Sequence, residues 1–246
     1  MMPRSLSRSV TILRQEGISE LLRRIRSHAH PQKRILRHPV VLRVRTGYHG
    51  WKRWRSPNKY TDANPFKTIT VDLDNIEYVV TNVDTEWGTV VNGSWKRHKI
   101  TDKSRHQTLR KRFADGESWT ELPIDTELGK QKEIVYNRIK EHGYLSQQEL
   151  EAERSLFSLR DTEIGVGIDR DGTIVHVGGG QHRLSIAKLL EIERVPVHVR
   201  VRHAEWQRIR DEIRTTDDKQ DLSDSARNAI GHPDLVDLLK KKDWSD

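Results

Sequence analysis

The sequence predicts an α+β protein: a small mixed β-sheet with packed helices, preceded by a basic helical arm. Three observations carry this. Strand-like and helix-like patterns alternate irregularly between Thr68 and Val201, with no internal repeat. Hydrophobic residues make up 34% of the 246 positions and charged residues 33%, which places part of the chain outside a core. Charge is also partitioned along the chain. Residues 1–60 hold 15 Lys and Arg against two acids, Glu16 and Glu20, a balance of +13. The other 186 residues balance at −5, which leaves the whole chain at +8. We therefore divide it into a basic amphipathic arm and linker (1–60), a central domain (66–203) and an acidic, helical C-terminal tail (204–246).

Elements follow in order. In the first 27 residues Leu6, Val10, Leu13, Leu21 and Ile25 recur at helical spacing among Arg8, Arg14, Arg23, Arg24 and Arg26. Residues 47–55 interleave glycine, aromatic and basic residues and read as a linker, or as a surface for bases or a bilayer interface. Asn64-Pro65 marks a turn. Thr68 to Leu73 reads as a strand, and 85–95, rich in Gly and Trp, as a loop. Residues 96–112 carry eight Lys and Arg against Asp102 and predict a helix over 102–114. Residues 127–142 predict another, with Leu128, Ile134, Val135 and Ile139 on one face and Gly143 just past its end. A charged stretch follows at 147–155.

The densest signals lie at 164–203. Ile164 to Ile168 reads as a strand, Asp169-Arg170-Asp171-Gly172 as a hairpin turn and Thr173 to Val177 as the returning strand. Gly178-Gly179-Gly180 then breaks the chain. Residues 181–191 predict a helix, 195–201 a strand, the region from Trp206 a further helix, and 233–242 a last short one.

Strand, three glycines and a helix outline an anion site. Glycine lets backbone approach a ligand closely, and the first turn of a helix directs N–H groups and a positive dipole end toward negative charge. Here that turn offers Gln181, His182 and Arg183, with Ser185 just beyond. The spacing is neither that of a P-loop nor that of the dinucleotide fingerprint. Glu141 and Asp169, with His182, are the candidate proton-transfer groups if phosphoryl transfer occurs. The twelve histidines show no metal-ligand spacing, so no protein metal site is assigned. The chain has no cysteine, which excludes disulfides and thiolate chemistry in the protein. No run of 18 apolar residues exists and no secretory signal is seen, so a cytoplasmic protein is expected, with a membrane-peripheral one as the alternative.

The segments 68–76, 135–144 and 169–199 together resemble the ParB/sulfiredoxin superfamily. Gly179-Gly180-Gln181-His182-Arg183 and Val195-Pro196-Val197 carry the likeness, which spans about residues 66–203. The resemblance implies a nucleotide or phosphate site in which Gly178, Gly179, Gly180, Gln181, His182, Arg183 and Ser185 hold the ligand, with ATP or CTP and Mg²⁺ as cofactor. The sulfiredoxin cysteine falls at Gln181, so thiol-dependent reduction is excluded. The expected function is binding of a nucleotide or phosphorylated small molecule, with phosphoryl transfer or hydrolysis left open. The alternatives are a ParB-like nucleic-acid-binding module and a catalytically inactive membrane or scaffold protein. Either would use residues 4–55 against nucleic acid or an anionic membrane surface.

Overall fold

A computed structural model describes residues 39–80, 83, 86–100, 127–144, 163–242 and 244. The N-terminal stripe, the 102–114 helix and the 147–155 stretch lie outside them. The chain divides into two compact units, 1–47 with 147–161, and 48–146 with 162–246. Of the first, residues 39–47 are described, and they belong to helix α1, Pro39–Arg55.

The second unit is built on a mixed sheet, in accord with the α+β reading. Its strands are β1 (Thr68–Asp72), β2 (Tyr78–Val80), β3 (Thr89–Val91), β4 (Arg97–Lys99), β5 (Ile164–Ile168), β6 (Ile174–His176) and β7 (Arg194–His203). Among the described residues the order is β1-β7-β5-β6-β2-β4. Strand β7 is the axis. It takes β1 antiparallel along its first half, β3 parallel at its end, and β5 parallel on its other edge. Val195, Val197 and Val199 alternate on one face and are buried, as period-two burial requires.

Helix α2 (Glu127–His142) ends at Gly143, whose φ of 75° supplies the left-handed stop. Helix α3 (Gln181–Leu189) packs through Leu184 and Ala187 into the main core, and through Ile186 against Tyr136 and Ile139 of α2. Helix α4 (Ala204–Thr215) buries Trp206 and Ile213 in that main core, joined by Leu222, Ala226 of α5 (Asp224–Ala229), Leu235 and Leu238 of α6 (Val236–Leu239). Val80, Trp95, Val175, Val177 and Val201 form a second cluster.

Several sequence expectations need correction. Residues 47–55 are helix. The region 85–95 contains strand β3 rather than loop alone, and the tail holds α5, which its polar sequence hid. The expected last helix is a 3₁₀ turn (Pro233–Leu235) followed by the single turn α6. Residues 48–61 make contacts with the sheet unit. The His49 ring donates to the Thr61 carbonyl at 3.0 Å, and the Thr61 N–H donates to the Gly88 carbonyl at 2.7 Å. Arg53 holds both oxygens of Asp211 at 2.8 and 2.9 Å.

A buried charge network fastens the tail to the sheet. Asp234 is 1% exposed. Its carboxylate accepts from Arg202 of β7, and from the Trp206 indole of α4 at 2.8 Å. Arg210 donates to the Asp234 carbonyl, to Asp62 at 2.8 and 3.1 Å, and to Asp237 at 2.9 Å. Burial pushes the Asp234 and Asp62 carboxyls up. The guanidiniums of Arg202 and Arg210, joined at Asp62 by Arg214, outweigh burial and hold both below the usual carboxylate range.

Two outcomes follow. Asp234→Ala leaves two buried guanidiniums short of a partner and should cost about 3–5 kcal/mol, read as a lowered denaturation midpoint. The pH profile has two stages. Burial lowers His49, His176 and His232, so the unfolded chain binds more protons than the folded one below about pH 6.5, and stability falls from there as pH drops. The depressed Asp62 and Asp234 contribute stability above about pH 4 that is lost as pH falls further. Thermal melts between pH 8 and 3 should be flat, then decline, then steepen; a midpoint that rises between pH 7 and 5 contradicts this account.

Candidate functional site

The glycine turn connects β6 to α3. Gly178, Gly179 and Gly180 all have positive φ, at 124°, 79° and 62°. Two of the surrounding positions admit glycine alone. A Cβ on Gly180 would stand 2.6 Å from the Ile164 nitrogen and 2.7 Å from the Glu163 carbonyl. A Cβ on Gly165 would collide with the Gly178 carbonyl oxygen. The turn is therefore pressed against the start of β5, backbone to backbone.

Its carbonyls point into the protein. Arg200 Nη1 donates to the Gly178 carbonyl at 3.0 Å. The His176 ring donates Nε2–H to the Gly179 carbonyl at 3.0 Å, and the Gly165 N–H reaches the same oxygen at 3.3 Å. In a trans peptide the C=O and the following N–H point in opposite directions. With the Gly178 carbonyl held by Arg200, the N–H of Gly179 is aimed outward, and Gly179 is exposed. The first intrahelical bond of α3 runs from the Leu184 N–H to the Gly180 carbonyl. Gln181 is exposed on the opening turn and His182 half-buried beside it.

Arg200 is set from behind. It stacks at 5.0 Å over Trp87, which meets His198 edge-on at 5.2 Å and lies parallel to Phe66 at 5.8 Å. Burial lowers the Arg200 and His176 pKa values, since each is enclosed beneath the turn.

Arg183 departs from the sequence expectation of an open, phosphate-gripping guanidinium. It is 3% exposed, donates to Glu163 Oε2 at 3.1 Å and lies 4.3 Å from the centre of the Tyr144 ring. Glu163 is itself 2% exposed and accepts from the Tyr144 hydroxyl at 3.4 Å. This group ties α3 to the entry of β5 and to the residue after the stop of α2. The Ser185 hydroxyl donates to the Gln181 carbonyl at 3.0 Å, one turn back along α3.

Asp169 is placed elsewhere. It sits in the hairpin turn at the far end of β5, four residues and roughly 13 Å of strand from the glycine turn. It is buried against the Arg97 guanidinium, which also donates to Asp171 at 2.8 Å and to Thr173. Glu141 is exposed on the last turn of α2, 3.8 Å from the His142 ring. The structure thus brings Gly178 to His182 together as one surface, and sends Arg183, Ser185 and Asp169 to structural tasks. Among the described residues no group of three or more His, Asp and Glu is placed to hold a metal ion.

No family profile, curated protein or solved structure matches this chain.

Glu163, Tyr144, His176 and Arg200 escaped the sequence reading. Arg200 was accessible to it: alternation with Val197, Val199 and Val201 puts Arg200 beside His198 on the other face of β7. Glu163 was not, because its partner is 20 positions away.

The expected consequence is measurable. Arg183→Ala removes the guanidinium paired with the buried Glu163 carboxylate and should lower stability by about 3–5 kcal/mol. The double variant Glu163→Gln, Arg183→Gln should lose less than the two single changes added together. Denaturant unfolding of the four proteins checks this; additive losses would mean that the pair is not coupled.

Proposed function

We propose that the turn from Gly178 to His182 binds the phosphate of a small molecule, with nucleotides as the ligand class. One observation carries the reading: the carbonyls of Gly178 and Gly179 are fastened inward on Arg200, His176 and Gly165, so the exposed Gly179 turns its N–H rather than its C=O outward. The resemblance of residues 66–203 to the ParB/sulfiredoxin superfamily supports the same location.

Recognition would rest on the Gly179 N–H and the positive end of α3, with the exposed Gln181 and the half-buried His182 as side-chain contacts. Arg183 is a positioning residue in this scheme. Its pairing with Glu163 fixes the angle at which α3 leaves the turn. ATP or CTP would bring its Mg²⁺ with its phosphates, the usual arrangement for this ion. Asp169, committed to Arg97, has no part in holding it. Binding is the function proposed.

Gln181→Glu separates a ligand site from a structural turn. A carboxylate in the first helical turn favours the helix by about 0.3–1 kcal/mol. The same charge repels phosphate. The variant should melt at or above the parent temperature, yet lose the upward thermal shift that ATP, CTP or inorganic phosphate gives the parent. A ligand at 100-fold its Kd raises stability by about 2.7 kcal/mol, well within reach of such melts. No shift of the parent with any of the three probes, or equal shifts in both proteins, would overturn the proposal.

A further inference from the structure

Helix α1 is amphipathic in the inverted sense. At 100° per residue, Val40, Val44, Gly47, Tyr48, Trp51, Trp54 and Arg55 fall within a sector of about 120°. Its apolar members are exposed: Val40 49%, Val44 67%, Tyr48 55%, Trp51 48% and Trp54 79%. Among the described residues one other large hydrophobic side chain, Val236, is exposed to a similar degree. The polar residues on the other side make the contacts with the sheet unit. His49 is buried on Thr61, Arg53 holds Asp211, and Lys52 bonds Glu86 at 3.2 Å. A helix that docks by its charges and shows its valines and tryptophans to the outside displays an interaction surface.

Charge identifies the occupant. Pro39–Arg55 contains Arg43, Arg45, Lys52, Arg53 and Arg55 and no acid. A second copy of this face would oppose like charge with like charge. Residues 1–38 carry nine Lys and Arg against two acids, so they too repel it. Nucleic acid has the right sign, but two of the three rings, Tyr48 and Trp51, have faces already taken. Tyr48 and Trp51 stack on each other at 5.8 Å, Lys52 lies over Tyr48 at 4.9 Å and Arg55 over Trp51 at 5.8 Å. Bases need such faces open, and valines add nothing to them. A lipid interface wants this combination: valines at the acyl boundary, Tyr and Trp at headgroup level, and cations around them.

We infer that the Tyr48–Trp51–Trp54 face of helix α1 lies on an anionic membrane surface, with Arg55 at the headgroups. No helix among the described residues is long and apolar enough to cross a bilayer, so the contact is interfacial. The site is independent of the glycine turn, and either can fail without the other.

The test uses the full chain and vesicles of phosphatidylglycerol and phosphatidylcholine in equal parts, against phosphatidylcholine alone. The parent should sediment with the anionic vesicles. Tyr48→Glu, Trp54→Glu should weaken that partition on the order of ten-fold, with thermal melting unchanged because both side chains are exposed. A measurement on the unmutated chain guards against a folding defect: lipids brominated near the headgroup end of the acyl chain should quench part of its tryptophan emission. Absence of sedimentation, absence of quenching, or equal sedimentation of parent and variant overturns the inference. So does concentration-dependent self-association, or retention of a single-stranded oligonucleotide, that the variant loses while vesicles fail to bind the parent.

Discussion

The attachment of α4 and the C-terminal tail to the sheet rests on one buried carboxylate. Asp234 lies in a 3₁₀ turn near the C-terminus and meets Arg202 from the end of β7 and the indole of Trp206 from the start of α4. Its backbone carbonyl meets Arg210. The 3₁₀ turn is thereby held at one point to β7 and α4, two consecutive elements that precede it by 24 to 32 residues. Arg210 passes the constraint on to Asp62, so the segment preceding β1 is fastened to the same place. A buried ion pair of this kind is a weak source of net stability and a strong source of geometry. Apolar contact alone would let α4 slide on the sheet; directed bonds to both carboxylate oxygens do not.

Strand β7 carries that geometry to the glycine turn. Arg202, at its far end, serves the network, while Arg200, two residues earlier, holds the Gly178 carbonyl. One strand therefore sets both the tail and the turn. Glu163 and Arg183 complete the arrangement from the other side, at the first residue before β5 and in the first turn of α3. The turn is gripped beneath by Arg200 and His176 and beside by the Glu163–Arg183 pair. Three successive glycines at positive φ would be the most mobile part of an unfolded chain. Here their carbonyls are bonded, and the conformation is fixed by neighbours that none of the glycines could supply.

Much of this was legible in the sequence, and what was missed has a common cause. The 164–203 block announces itself locally: Asp171-Gly172 marks the hairpin, alternating valines mark β7, and the glycines mark the helix start. Strands β2, β3 and β4 have three residues each, too few to display a period. Their pairing is remote, as when Thr89 meets Val201. Helix α1 was hidden because Gly47, Gly50 and its β-branched valines argue against helix, and because its apolar stripe faces outward. Arg183 was misjudged for a related reason. Position in a helix is local information, whereas burial was decided by Glu163 and Tyr144, which the sequence places 20 and 39 residues away.

The charge split between arm and body also takes on a structural sense. An arm at +13 joined to a remainder at −5 first suggests a partner outside the molecule. Part of the complement is internal. Asp211 and Glu86 belong to the acidic remainder and receive Arg53 and Lys52, while neutral His49 is enclosed between Thr61 and Gly88. Attaching a helix through His49 and Arg53 has a definite result: the residues on the opposite side of the cylinder, Val40, Val44, Tyr48, Trp51 and Trp54, cannot also face inward. The anchoring of α1 by charge and the exposure of Tyr48, Trp51 and Trp54 are therefore one fact. The exposed Arg55, which pairs with no acid among the described residues, lies over the Trp51 ring, so the apolar face carries positive charge at its edge, and it is this charge that the inferred anionic surface would match.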